Sequence, residues 1–78
     1  MNDQKQIIEA IAEHLAIPTI DIDTEDLLRE DLGLNPVEIT DLISYLSEKF
    51  KVVFDQSEIS QIKTAGNLIE LIEDKMLE

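Results

Sequence analysis

Four consecutive residues, Asn35-Pro36-Val37-Glu38, fix where a helix of this chain must begin. An asparagine before a helix accepts a bond from a first-turn amide. Proline at the first helical position loses nothing by lacking an N–H, and an acid three places after the cap closes a capping box. Downstream, Ile39, Leu42, Ile43, Leu46 and Phe50 recur on one stripe, with Glu38, Asp41, Ser44 and Glu48 outside it. The spacing predicts a helix over 36–50. The other proline, Pro18, acts in the opposite sense: it biases Ile17 toward extended backbone and ends whatever helix precedes it.

That earlier helix is predicted over about 3–15, from Ile7, Ile8, Ile11 and Leu15 at helical spacing, with Asn2 or Asp3 as its cap. Between it and Asn35 lies a long connection carrying Ile20, Ile22, Leu27, Leu28, Leu32 and Leu34. So many aliphatics predict a loop packed onto the core, with one helical turn near 24–30; long packed loops are uncommon and often functional. After an extended connector at Lys51-Val52-Val53-Phe54, Asp55 with Glu58 repeats the capping-box pattern and predicts a short helix over about 56–62. Thr64 then caps a last helix over about 65–76, with Leu68, Ile69, Leu71, Ile72 and Met76 on its buried side. The fold class is therefore all-α: a small bundle of three main helices, one short helix and a long packed loop, in a single domain spanning 1–78.

Eighteen acidic residues against six basic ones give a formal net charge of −12. This excludes nucleic acid and anionic membrane as direct partners, because both need clustered lysine or arginine, and points to a basic protein surface. Mimicry of nucleic acid has only this charge in its favour. Disorder is excluded in turn by twelve isoleucines and ten leucines spread over the whole length. Without cysteine there is neither a disulfide nor a thiolate metal site. No apolar run is long enough for a membrane span, nothing at the start resembles a signal peptide, and a cytoplasmic monomer is expected.

Chemistry-bearing constellations are sparse. Asp21, Asp23, Glu25 and Asp26 resemble the first half of a calcium loop, but Asp26 stands where that loop needs glycine and Leu32 where it needs glutamate, so no metal residues are assigned. His14, the only histidine, falls in the last turn of the first helix, where a capping or surface role suits it. No serine sits in a nucleophile motif and no catalytic residue is assigned. On the second helix Val37, Thr40 and Ser44 form an exposed strip beside Glu38, Asp41 and Glu48. Spacing alone reads that strip as an ordinary solvated face.

The run Leu27-Leu28-Arg29-Glu30-Asp31-Leu32-Gly33-Leu34, followed at once by a capped acidic helix ending in Lys49-Phe50, resembles the acyl carrier protein family and its peptidyl and D-alanyl relatives. Glu13-His14-Leu15 and Ile62-Lys63-Thr64 extend the resemblance, which spans about residues 5 to 74. In that family an Asp-Ser-Leu motif follows the Leu-Gly pair, and its serine is esterified to 4′-phosphopantetheine. Here Asn35, Pro36 and Val37 take those places, and proline has no hydroxyl. The resemblance therefore implies a carrier-like fold with no cofactor attached at Pro36. It also implies docking onto a basic-surfaced synthase, ligase or transferase of fatty-acid, polyketide or peptide-type biosynthesis, through Val37, Glu38, Thr40, Asp41, Ser44 and Glu48. The competing expectation is a working carrier that holds its chain on another residue or noncovalently.

Overall fold

The computed structural model describes residues 3–77. Its elements are α1 (Asp3–Leu15), a 3-10 turn (Thr19–Asp21), α2 (Pro36–Phe50), α3 (Gln56–Gln61) and α4 (Ala65–Met76), with no strand among the described residues. The all-α class, the three main helices and their bounds agree with the sequence reading. Asp3 lies inside the first turn of α1 and does not cap it; Asn2 lies outside the described residues.

Each helix start is held by its own side chains. Asn35, Asp55 and Thr64 each accept from the amide three residues on, and Glu38, Glu58 and Asn67 reach back to the cap amides, which makes three complete capping boxes. The ends of α1 and α2 share a different device. Ala16 and Lys51 both adopt left-handed backbone, with φ of 59° and 56°. At α1 this lets Ile17 N–H donate to Ala12 O and Ala16 N–H to Glu13 O, which is a Schellman ending built without glycine.

The core is made by Ile7 and Ile11 of α1, Leu42 and Leu46 of α2, Leu68, Ile69 and Ile72 of α4, and Leu28 from the loop, all fully buried. α1 packs against both α2 and α4. No polar side chain is buried among the described residues, so the interior is held by aliphatic packing alone. The short helix α3 contributes no buried residue, ends one residue earlier than predicted, and leans on the core through the half-buried Ile59 and Ile62. Lys75 of α4 fastens it by donating to Glu58 Oε1 at 3.0 Å, while the same ammonium lies 5.6 Å from the centre of the Phe54 ring. These contacts hold the α3 acids below their ordinary range. The Glu58 amide and then the Ser57 hydroxyl lower Asp55; the Asp55 amide and then Lys75 lower Glu58.

The long loop is packed, as predicted, though not by every predicted aliphatic. Ile22, Leu28 and Leu34 are buried, whereas Ile20 is 90% exposed. A 3-10 turn forms at 19–21, where Pro18 presets the backbone and its carbonyl accepts from Asp21 N–H, and a single helical turn lies at 27–31, close to the predicted place, where Asp31 N–H donates to Leu27 O at 2.9 Å. Residues 24–28 are also sewn to the start of α4. Leu28 N–H donates to Lys63 O, Ala65 N–H to Asp26 O and Gly66 N–H to Thr24 O, all at 2.8–2.9 Å. The loop thereby satisfies two first-turn amides of α4, and Thr64 Oγ1 takes the Asn67 amide.

Candidate functional site

At the N-terminus of α2 a reciprocal pair of hydrogen bonds fixes the acidic face. Asn35 Oδ1 accepts from Glu38 N–H at 2.8 Å, and Glu38 Oε1 accepts from Asn35 N–H at 2.9 Å. Ile39 N–H already enters the helical ladder at Asn35 O, and Pro36 has no amide. Thr40 Oγ1 donates back to Pro36 O at 3.0 Å. An anion would ordinarily find free amides and a favourable dipole at such an end. Here the Glu38 carboxylate takes the Asn35 amide and the Asn35 side chain takes the Glu38 amide.

Of the six residues expected to meet a partner, four come together. Val37, Thr40, Asp41 and Ser44 line one shallow groove with Pro36, in which Val37 is 77% exposed. Glu38 belongs to the other side of the helix start, where it shares a cleft with Asp41, His14 and the aliphatics Leu15, Ile17 and Leu32. Glu48, nearer the helix end, is exposed and lines neither depression.

His14 does not cap α1; Ala16 and Ile17 do that through the backbone. Its ring crosses to α2, where Nε2 donates to Asp41 Oδ2 at 2.8 Å, and it stacks on Tyr45 with centroids 4.4 Å apart and planes 18° apart. A bond to a carboxylate requires the proton on Nε2. Sequence reasoning missed this pairing, and the one available signal was that Asp41 and Tyr45 stand four apart, presenting a carboxylate and a ring from the same face of α2.

The acids at 21–26 serve the loop itself. Asp23 Oδ1 accepts from Glu25 N–H and Asp26 Oδ2 from Asp23 N–H. Among the described residues no three His, Cys, Asp or Glu side chains are placed to share a metal. No helix there is long and apolar enough to cross a membrane.

A bundle with this element order, with a Leu-Gly corner delivering the chain into a capped acidic helix, belongs to a class of small carriers and not of catalysts. The family described as the phosphopantetheine attachment site matches residues 5–72, and the chain belongs to that family, whose curated relatives are acyl carrier proteins. It is 38% identical to the acyl carrier protein of Saccharopolyspora erythraea over 76 residues, covering 92% of this chain and 80% of the relative. The acyl carrier protein of Exiguobacterium sibiricum is 29% identical over 68 residues, covering 87% and 86%. The crystal structure of an acyl carrier protein from Thermotoga maritima superposes with a TM-score of 0.78 at 23% identity, over 96% of this chain and 92% of that one.

The prosthetic group of this family, 4′-phosphopantetheine, does not fit the start of α2 in this chain. Pro36 offers no nucleophile, and the nearby Thr40 hydroxyl is turned onto Pro36 O.

Proposed function

We propose that this chain is an acyl-carrier-protein-like docking module that lacks the attachment serine. It engages a basic-surfaced synthase, ligase or transferase of fatty-acid, polyketide or peptide-type biosynthesis through the acidic face of α2. The observation that carries this reading is Pro36 at the first position of a complete capping box: the helix start is intact while the reactive atom is missing. The charge of −12 and the exposed Val37, Thr40, Asp41 and Ser44 support docking by complementary charge around a small apolar contact.

Two measurements test the proposal. Treatment of the wild-type chain with a phosphopantetheinyl transferase and coenzyme A is expected to leave its denatured mass unchanged, while Asn35→Asp, Pro36→Ser and Val37→Leu together restore a substrate. A covalent increment on the wild type would overturn the first half. Binding to a purified carrier-dependent enzyme with a basic docking face is expected to weaken with added salt and with Asp41→Lys or Glu48→Lys. Binding indifferent to both reversals overturns the second half.

A further inference from the structure

Six basic residues stand among eighteen acidic ones, and two of the six meet at one apolar cleft. Its aliphatic walls are Leu27 from the loop, Ile39 on α2 and Ile62 just after α3, while Arg29, Glu30 and Lys63 line its rim. The backbone fixes this meeting. Leu28 N–H donates to Lys63 O at 2.9 Å, and Leu27 pairs with Thr64 in an isolated antiparallel bridge, so the stretch of loop that carries Arg29 runs beside Lys63. Lys75 is engaged by Glu58, whereas neither the Arg29 nor the Lys63 side chain has an ion pair or hydrogen bond among the described residues, and both are exposed. The interior is closed, with Leu28, Leu42, Leu46 and Leu68 at most 1% exposed, so a ligand of this cleft lies at the surface and is not threaded between the helices.

An apolar cleft about 320 Å³ in volume with two unpaired cations at its rim matches an apolar side chain flanked by carboxylates. We propose that it is a second docking surface, opposite in sign to the α2 strip, which receives an acidic segment of a partner protein: a bulky apolar side chain lies on Leu27, Ile39 and Ile62, and its neighbouring carboxylates meet Arg29 and Lys63. The net charge of −12 does not forbid this. Exposed charges more than about 8 Å apart are largely screened at physiological ionic strength, so the local balance of two cations against Glu30 decides the encounter. Neither cation has to be aimed beforehand, because each long stem can lie along the apolar wall while its charged head swings to the ligand. This cleft and the groove of Pro36, Val37, Thr40, Asp41 and Ser44 have no residue in common. Both can therefore be filled at once, and the chain can join a basic partner to an acidic one, a role that needs no attached cofactor.

The test uses a blocked peptide, acetyl-Glu-Glu-Leu-Phe-Glu-Glu-amide, titrated at millimolar concentration into the isotope-labelled full chain at an ionic strength of about 0.15 M. Two control peptides carry glutamine for every glutamate, or serine for the leucine and phenylalanine. Saturable backbone amide shifts confined to residues 27–30, 39 and 62–63 are expected with the acidic apolar peptide. The glutamine peptide is expected to bind several-fold more weakly and the serine peptide to give no saturable shift. Arg29→Gln with Lys63→Gln is expected to weaken binding roughly tenfold. Lys49→Gln with Lys51→Gln makes the same change of net charge at exposed lysines outside the cleft and is expected to leave the affinity unaltered. All four side chains are exposed, so both double variants are expected to keep the wild-type amide spectrum elsewhere. Absence of saturable shifts, equal binding of the glutamine peptide, or equal weakening by the two double variants overturns the proposal. Decanoate that shifts the same amides while the peptide does not would make the cleft a fatty-acid seat and overturn it too. None of these outcomes bears on the α2 strip, which Asp41→Lys and Glu48→Lys decide.

Discussion

Replacing Gly66 with alanine is expected to destabilise the protein even though the site lies inside a helix, where alanine is preferred by about 1 kcal/mol. A Cβ at Gly66 would stand 2.7 Å from the Thr24 backbone oxygen, the acceptor of the Gly66 amide. Because the obstacle is backbone, no rotamer change relieves it, and the loop must lift from α4. Lifting stretches the bonds Gly66 N–H to Thr24 O, Ala65 N–H to Asp26 O and Leu28 N–H to Lys63 O. At roughly 0.5–1.5 kcal/mol per bond, loss of two or three costs about 1–4 kcal/mol, more if the buried Leu28 shifts with them. After the propensity gain a net loss of up to about 3 kcal/mol remains, centred on about 1.5 kcal/mol. With roughly 4–8 °C per kcal/mol for a domain of this size, the melting temperature is expected to fall by about 6–12 °C for that central value. Urea titration followed by circular dichroism gives the free energy directly, and the amides of Leu28, Ala65 and Gly66 are expected to lose hydrogen-exchange protection together. Adding Thr24→Gly removes the 3.4 Å side-chain contact but not the backbone one, so the double variant is expected to stay destabilised. An alanine variant as stable as the wild type would refute the argument.

Other perturbations follow from the same geometry. Ala16→Gly, at a φ of 59°, is expected to stabilise the protein by about 0.5–1 kcal/mol in urea unfolding, since the left-handed ending of α1 carries no Cβ penalty for glycine. Leu46→Ala, fully buried in α2, is expected to cost about 2–5 kcal/mol in the same assay. Acid is expected to loosen α3 first. Asp55 and Glu58 have folded pKa values below the ordinary 3.8 and 4.5 of the free side chains, so their contribution is complete above those values and is lost as pH falls through the lower folded ones. The urea midpoint of Asp55→Asn/Glu58→Gln is therefore expected to vary less with pH below about 5 than that of the wild type.

What could be read from the sequence was whatever is encoded within a few residues. The starts of α2, α3 and α4 each carry both halves of a capping box three positions apart, and the aliphatic stripes carry the helical period, so the bounds followed, and so did burial on α4 except at Leu71, which is only half-buried and lies outside the core. Ile20 misled because hydrophobicity gives no direction: the 3-10 turn set by Pro18 aims it outward. The sewing of the loop to α4 was invisible because amide and carbonyl belong to every residue type, and only the close approach at Gly66 leaves a trace. Of the candidate site, the helix cap and the exposed strip were legible. The grip of His14 on Asp41 was not, because it joins residues 27 positions apart through a crossing of α1 and α2 that no local pattern specifies.

The loop that is bonded to α4 also sets an order of events. Helices α1, α2 and α4 and the local turns at 23–31 can each be nucleated by neighbours in sequence, but Thr24 O, Asp26 O and the Leu28 N–H gain their partners only when the first turn of α4 exists, and that contact closes a large part of the chain. The seating of the loop on α4 therefore depends on the long-range closure, while the turns within the loop do not. Because Leu32 hangs from that loop, the wall of the cleft beside His14 is completed only with that closure, and a chain whose final helix has frayed at Ala65 and Gly66 retains its acidic face but not the shape beside it.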